Sequence, residues 1–221
     1  MSFKYEHARP ALAVDIVVFG LAEAGPSLLV IKRGIEPYKD RWALPGGFVR
    51  IDETLDQAAH RELGEETGLQ EVFLTQLSVF SELNRDPRER VVSVAYLAIV
   101  KSADFTLKAG TDAIDAKWIP LNHKSHQLAF DHIEIVKSAR DWLIEQMYQQ
   151  PIFLKVLPKA FTLTQMQALY EGILNDRLDK RNFRKRILGS GLLRKTNKKL
   201  INVAHRSAAL YELKSKKSKE L

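Results

Sequence analysis

Four acidic side chains stand at fixed offsets from a glycine turn in the stretch Gly47 to Leu69, GFVRIDETLDQAAHRELGEETGL. Glu53 follows Gly47 after five intervening residues; seven more lead to Arg61, Glu62 and Leu63, then Glu65, Glu66, Gly68 and Leu69. On a helix, the i, i+3, i+4 spacing of Glu62, Glu65 and Glu66 gathers three carboxylates on one face. Anions so close repel one another, and the crowding is useful only where a cation sits among them. Oxygen-only ligands suit a hard divalent ion, Mg²⁺ or Mn²⁺, which keeps part of its water and also grips phosphates. The alternative is a solvated acidic face in which Glu62 and Glu65 pair with Arg61 and its neighbours. The glycine turn, with Glu53 and Arg61 at their offsets, favours the metal site.

The flanking residues predict how these groups are positioned. Pro45-Gly46-Gly47 is turn chemistry, and Thr54 with Gln57 three residues on is a capping box that starts a helix. Gly68 supplies a left-handed stop, while Leu55, Ala58, Ala59 and Leu63 form a second, apolar face that packs on a sheet. Strands are expected at Ala11–Phe19, Leu28–Lys32, Val72–Phe80, Val91–Val100 and Ala116–Ile119, which are rich in Val, Ile and aromatics. A second helix, from about Asp131 to Tyr148, carries Ile133, Val136, Ala139 and Leu143.

The Gly47–Leu69 segment resembles the signature of the Nudix hydrolases, with every specified position of that pattern present. The resemblance implies a mixed sheet sandwiched between helices, and cleavage of a nucleoside diphosphate linked to another group. It further implies Glu62 and Glu66 as main metal ligands, Glu65 as ligand or base, and the Gly46 carbonyl as a further ligand. Arg61 and Glu53 would hold the carboxylates in position. The metal would act as Lewis acid and water activator.

Composition narrows the rest. A chain of 221 residues with 45% hydrophobic content can bury one large core or two modest ones. The absence of cysteine excludes disulfides, zinc–thiolate sites and thiol catalysis. MSFKYEHARP lacks the charged-then-apolar order of a signal peptide, and the apolar run Ala11–Ala24 is too short to span a bilayer and is broken by Asp15 and Gly20. A cytoplasmic protein without membrane contact is expected. The formal charge of +7 conceals a split. Residues 1–150 carry 17 Lys and Arg against 22 Asp and Glu, whereas residues 151–221 carry 17 against 5. An acidic unit followed by a strongly basic one suggests two roles, the second involving a polyanion. The Gln149-Gln150-Pro151 step is the expected boundary, since proline disfavours helix in the residue before it.

The basic part is patterned. Thr162 or Thr164 caps a helix with Met166, Leu169, Tyr170, Ile173 and Leu174 as its apolar stripe, and Asn175-Asp176 breaks it. Asp179 caps a second helix in which Phe183 and Ile187 face inward. Two short β-like runs follow, Leu192–Thr196 and Ala208–Leu213, with NKKLINVAHRS between them; the Lys214–Lys219 end reads as a solvated tail. Helix, turn, basic helix, then hairpin is the order of a winged helix-turn-helix. An α+β protein is therefore expected, a sandwich at 1–150 and a winged helix at 151–221. Candidate DNA contacts are Thr164; Lys180, Arg181, Asn182, Arg184, Lys185 and Arg186 on the second helix; and Lys198, Lys199 and Arg206 towards the hairpin. A lone basic run is otherwise a solubilising face, but its place in this order favours duplex DNA.

Over nearly the whole chain the sequence resembles the Nudix-related transcriptional regulators of NAD metabolism, the NrtR family. The stretches that carry this are Arg85–Ser93, Phe130-Asp131-His132, Leu157–Leu163 and Lys180–Arg186. The resemblance implies a homodimer whose paired winged helices bind a palindromic operator near NAD-biosynthesis genes, and whose DNA binding ADP-ribose weakens. In many such regulators the signature is eroded; here it is intact, which favours a phosphorylated ligand and leaves turnover chemically possible. The competing assignments are a pyrophosphatase cleaving ADP-ribose to AMP and ribose 5-phosphate with an accessory basic unit, and an enzyme acting on RNA ends. The latter calls for stacking aromatics, and only Phe183, expected in the core, and Tyr211 are available. Arg85, Arg88 and Arg90 either clamp ligand phosphates or ribose, or form an exposed hairpin turn. Asp131 and His132 either line the pocket or start a helix. His60, His123 and His126 lack ligand spacing and are expected at the surface.

Overall fold

A computed structural model describes residues 6–22, 25–110, 113–121, 127–146, 157–202 and 205–214, with side chains at all of these outside 198–207. The expected boundary at Gln149–Pro151, His123, His126 and the tail beyond Lys214 lie outside the described residues.

The first unit runs β1 (Ala11–Ala22), β2 (Gly25–Arg33), β3 (Trp42–Ala43), β4 (Gly46–Phe48), α1 (Leu55–Thr67), β5 (Thr75–Phe80), β6 (Val91–Lys101), β7 (Ala113–Pro120) and α2 (His132–Gln146). One mixed sheet has the order β3-β2-β1-β6-β5, with β4 paired to β1 and β7 to β2. β1 and β6 are parallel, from Ala11 opposite Val91 to Leu21 opposite Lys101, and the remaining pairs are antiparallel. Because strand side chains alternate, β1 feeds both faces. Val14, Ile16 and Val18 pack with Ala58, Ala59 and Leu63 of α1, and Val17 and Phe19 with Ile135, Val136 and Ala139 of α2. This is the expected helix–sheet–helix sandwich, built from a central strand covered on both faces.

α1 starts at Thr54, whose side chain accepts the Gln57 backbone N–H while the Thr54 N–H donates to the Gln57 side-chain oxygen, and it stops at left-handed Gly68. Two expectations change. Pro45-Gly46-Gly47, taken as a turn, places Gly46 and Gly47 in β4, paired with Asp15 and Val14. The strand expected from Val72 begins at Thr75.

The second unit comprises α3 (Leu163–Leu174), α4 (Lys180–Gly189), β8 (Leu193–Asn202) and β9 (His205–Leu213). Thr162, not Thr164, caps α3 in a capping box with Gln165; Asn175 closes it in the left-handed region, and Asp179 caps α4. The hairpin is longer than the sequence pattern suggests, because ladder pairing between main chains continues through the polar Lys198–Asn202 stretch, with register shifts between Lys195 and Lys199 and again between Leu200 and Asn202. Phe161, just ahead of α3, bridges to Tyr211 of β9 and so ties the hairpin to the helices.

The two units share a core. Met166, Tyr170 and Ile173 of α3 and Phe183 and Ile187 of α4 belong to one apolar cluster with Val17, Phe19, Leu28 and Leu143. The fit is close at Gly172, where a Cβ would stand 2.7 Å from Pro26 Cγ of β2.

Candidate functional site

α1, β4 and the loop after it assemble the carboxylate wall. Arg61 is its hub. Its Nε and one terminal nitrogen fork onto Glu53 at 2.9 and 2.6 Å, and the other terminal nitrogen donates to Glu62 at 2.6 Å and Glu65 at 3.1 Å. Arg61 also donates to the Phe48 carbonyl at 3.2 Å, which pins β4 to the helix. That fork lowers the Glu53 carboxyl to about 2. Glu62 moves the other way: burial pushes its carboxyl up despite the Arg61 bond, and Glu65 adds to the rise. Glu66 is buried and accepts the Gly46 N–H at 2.9 Å, while Arg50 approaches Glu65 at 3.5 Å. A Cβ on Gly47 would meet Glu62 Cδ at 2.6 Å, so the glycine gives the carboxylate its room.

The expected grouping of Glu53, Arg61, Glu62, Glu65 and Glu66 is thus assembled in one place. Their orientation differs from an ion cage. Among the described residues no three His, Asp or Glu side chains stand so as to hold a metal ion. Glu62 and Glu65 turn onto Arg61, the nearest counter-charge, and Glu66 onto the Gly46 amide rather than towards a common point with them. The donor set itself, all oxygen with Glu62 partly desolvated, fits a hard divalent cation.

These groups form one wall of a cavity of about 460 Å³ whose floor is a buried polar network. Asp15 interrupts the apolar run of β1 and needs partners there, since a buried charge without them is costly. It takes Arg85 at 2.9 Å, the Ser93 hydroxyl at 2.6 Å and His132 Nε2 at 3.2 Å. Burial alone would raise the Asp15 carboxyl; His132, Arg85 and Ser93 overcome it and hold the group well below the usual carboxylate range. His132 Nδ1 accepts the Leu44 N–H at 2.8 Å, so its proton belongs on Nε2, facing Asp15. Arg85 also forks onto Asp131 at 3.0 and 2.8 Å.

Aromatic and cationic side chains also line the cavity. Phe130 meets Tyr38 edge-on at 4.7 Å and lies under the Arg33 guanidinium at 4.9 Å; Arg88 reaches over Phe48 at 5.1 Å. Arg88 forks onto Asp86 at 3.0 and 2.7 Å, and that pairing lowers the Asp86 carboxyl although burial opposes it.

Of the three arginines named from the sequence, Arg85 and Arg88 line this cavity and Arg90 does not; Arg90 donates to the Glu82 and Val91 carbonyls. Arg85 is not a surface turn residue but the buried partner of two aspartates. His132 lines the cavity, whereas the Asp131 carboxylate is spent on Arg85. Asp15, Arg33 and Phe130 went unassigned in the sequence; a lone aspartate in a run of buried strand residues was the available signal for the first. His60 is exposed.

On the second unit, Lys180, Arg181, Asn182, Lys185 and Arg186 are exposed on α4, opposite buried Phe183 and Ile187. Arg184 is half-buried and donates to the exposed Thr164 hydroxyl at 3.3 Å, which bridges α4 to the start of α3. Lys198 and Lys199 fall on β8 and Arg206 on β9, with side chains outside those described. No helix among the described residues is long and apolar enough to cross a membrane.

Comparison with known proteins accords with both units. Residues 9–139 match the NUDIX domain, and residues 153–213 match the NrtR DNA-binding winged helix domain. The chain is 33% identical over 211 residues to the ADPR responsive transcriptional repressor NtrR of Acinetobacter baylyi, covering 94% of this chain and 84% of that one. It is 42% identical over 136 residues to an ADP-ribose pyrophosphatase of Methanocaldococcus jannaschii, covering 62% of this chain and 76% of the other. Shewanella oneidensis NrtR, solved in complex with a 27mer DNA, is 30% identical with a TM-score of 0.69, covering 92% of this chain and 93% of that one. The NUDIX domain of the same protein, solved with ADP ribose, is 31% identical with a TM-score of 0.58, covering 62% and 90%. With a full-length relative above 30% identity and both domains matched in order, the chain belongs to the NrtR family, in which a NUDIX domain is joined to a DNA-binding winged helix.

Proposed function

We propose that this protein is a transcriptional repressor of NAD-metabolism genes, whose winged helix binds a palindromic DNA operator as a homodimer and whose NUDIX cavity binds ADP-ribose, releasing the DNA. The observation that carries this is the coexistence in one chain of an exposed basic helix, whose unit shares a core with the sheet, and a cavity lined by carboxylates, aromatic rings and arginines. The Acinetobacter relative, named as ADPR responsive, and the DNA-bound and ADP-ribose-bound Shewanella structures support it. α4 would enter the major groove, with Arg181, Lys185 and Arg186 towards bases and phosphates and the β8–β9 hairpin against the backbone. Operator binding implies a cytoplasmic protein with access to the chromosome.

In a gel-shift with operator duplex, ADP-ribose should lower affinity by a factor of roughly 5–150, the usual range of allosteric coupling. Unchanged affinity at saturating ADP-ribose overturns this function.

A second activity is supported by the complete set of signature carboxylates and by the Methanocaldococcus pyrophosphatase. Glu62, Glu66 and the Gly46 carbonyl would hold a divalent cation, Mg²⁺ or Mn²⁺, with Glu65 as a further ligand or as the base. When bound, such an ion neutralises diphosphate charge and lowers the pKa of water. Glu53 and Arg61 keep the carboxylates in place, and Glu65, the most open of the three helix carboxylates, is suited to take the proton of the attacking water. Attack on the diphosphate breaks one P–O bond and leaves AMP and ribose 5-phosphate; ADP with free ribose would contradict that bond choice.

A further inference from the structure

Phe130 holds a bulky side chain at φ 53°, in the left-handed region, a conformation that such a residue keeps only when its surroundings impose it. The surroundings are specific. Tyr38 and Arg33 hold the ring, the Arg85 fork holds Asp131, and the Leu44 amide and Asp15 hold His132. Phe130, His132, Arg33, Leu44, Asp15 and Arg85 all line the cavity, whereas Asp131 does not. Every clamp on this segment except Tyr38 therefore touches the space that a ligand would fill.

The segment leads directly into α2. Ile135, Val136, Ala139 and Leu143 of α2 enter the core shared with Met166, Tyr170 and Ile173 of α3. α3 in turn meets α4 through Tyr170 against Phe183, ring centres 5.9 Å apart, and through the Thr164–Arg184 bond. The carboxylate helix α1 packs in a different cluster, on the other face of the sheet, which contains no residue of α3 or α4. A route from cavity to DNA helices through α2 is therefore continuous, and one through α1 is not.

We propose that residues 130–132 form the joint by which cavity occupancy acts on the winged helix, with Asp131 as its positioning residue. This rests on the ADP-ribose-responsive function above. A ligand shifts a conformational equilibrium only by binding one arrangement better than another. A diphosphate or sugar that takes hydrogen bonds from Arg85, or a base that packs on Phe130, competes with the contacts holding the strained segment. It thereby favours an arrangement in which α2, and α3 packed beside it, sit differently. Packed helices shift between discrete positions, so a small change at the joint becomes a movement of the DNA-reading helix.

The test is the ratio of ADP-ribose dissociation constants with and without saturating operator duplex, measured by calorimetry on the full chain under conditions that prevent hydrolysis. The wild-type ratio should fall in the range of roughly 5–150. Asp131→Asn weakens the fork but leaves Arg85 its Asp15 partner, and it should bind ADP-ribose and operator separately while the ratio falls towards 1. Tyr38→Leu removes the ring that holds Phe130 without altering a cavity-lining residue, and it should lower the ratio too; it stands as the test if Asp131→Asn does not fold. A wild-type ratio in a folded Asp131→Asn protein, or failing that in Tyr38→Leu, overturns the joint and leaves the repressor function intact. A ratio of 1 in the wild type overturns both.

Discussion

At the scale of single residues, the site is governed by how four carboxylates share few cations. Arg61 answers three of them, and its rigid fork suits Glu53 bidentately. Glu62 is the residue left at a disadvantage, since burial disfavours its charged form. A divalent cation would relieve that, and binding to the folded state alone stabilises it by about 2.7 kcal/mol at a hundredfold excess over Kd. Mg²⁺ or Mn²⁺ should therefore raise the melting temperature of the wild type, and Glu62→Gln combined with Glu66→Gln should abolish the rise. An undiminished rise in the double variant would remove these residues as ligands. The spacing made the carboxylates legible in advance. It could not tell that Arg85, forty-six residues from Asp131, is buried between two aspartates, because that pairing exists only once β1, β6 and α2 converge.

At the scale of elements, the caps were legible because each is a local contract between a side chain and an amide three residues on. Thr54 with Gln57 and Asp179 with Asn182 form as the residue types suggest, and Thr162 with Gln165 decides between the two caps, Thr162 and Thr164, that the sequence offered. β3 and β4 were not legible: two or three residues are too few to display a period, and pairing with β2 and β1 creates them. The second helix of the winged unit presents its charges as expected, with Phe183 and Ile187 buried on the inner face. Arg181→Ala should cost about 1–3 kcal/mol of operator affinity if a guanine contact is lost. Filter binding on operator and on random duplex distinguishes the roles, since an equal loss on both would make Arg181 a phosphate contact only.

For the whole molecule, the acidic and basic units are distinct in charge yet not in core. Met166 is fully buried in the cluster that also holds Val17, Phe19 and Leu28 of the sheet. Met166→Ala should destabilise the chain by about 2–5 kcal/mol, the usual cost of such a cavity. The three tryptophans, Trp42, Trp118 and Trp142, all lie in the first unit, Trp42 and Trp142 against the shared core, so fluorescence reports on that unit and its seam with the second. In denaturant, the fluorescence transition should shift together with the circular dichroism transition, as for one cooperative unit. A fluorescence transition that stays in place would mean that the two units unfold independently.

What the sequence by itself determined is whatever depends on neighbours within a few turns of chain: the carboxylate face of α1, its caps, the basic face of α4, the order of the two units and their opposite charge. The regularity of helical and strand periods carries that information locally. What only the tertiary structure decided depends on partners far apart in the chain. Asp15, Arg85, Ser93, Asp131 and His132 become one network because the parallel pairing of β1 with β6 and the packing of α2 on the same face bring their side chains together. The same packing sets Phe130 in its left-handed conformation at the cavity and seats α3 on β2. Burial is a property of the assembled layers, so no local pattern could announce which charges it would force into partnership.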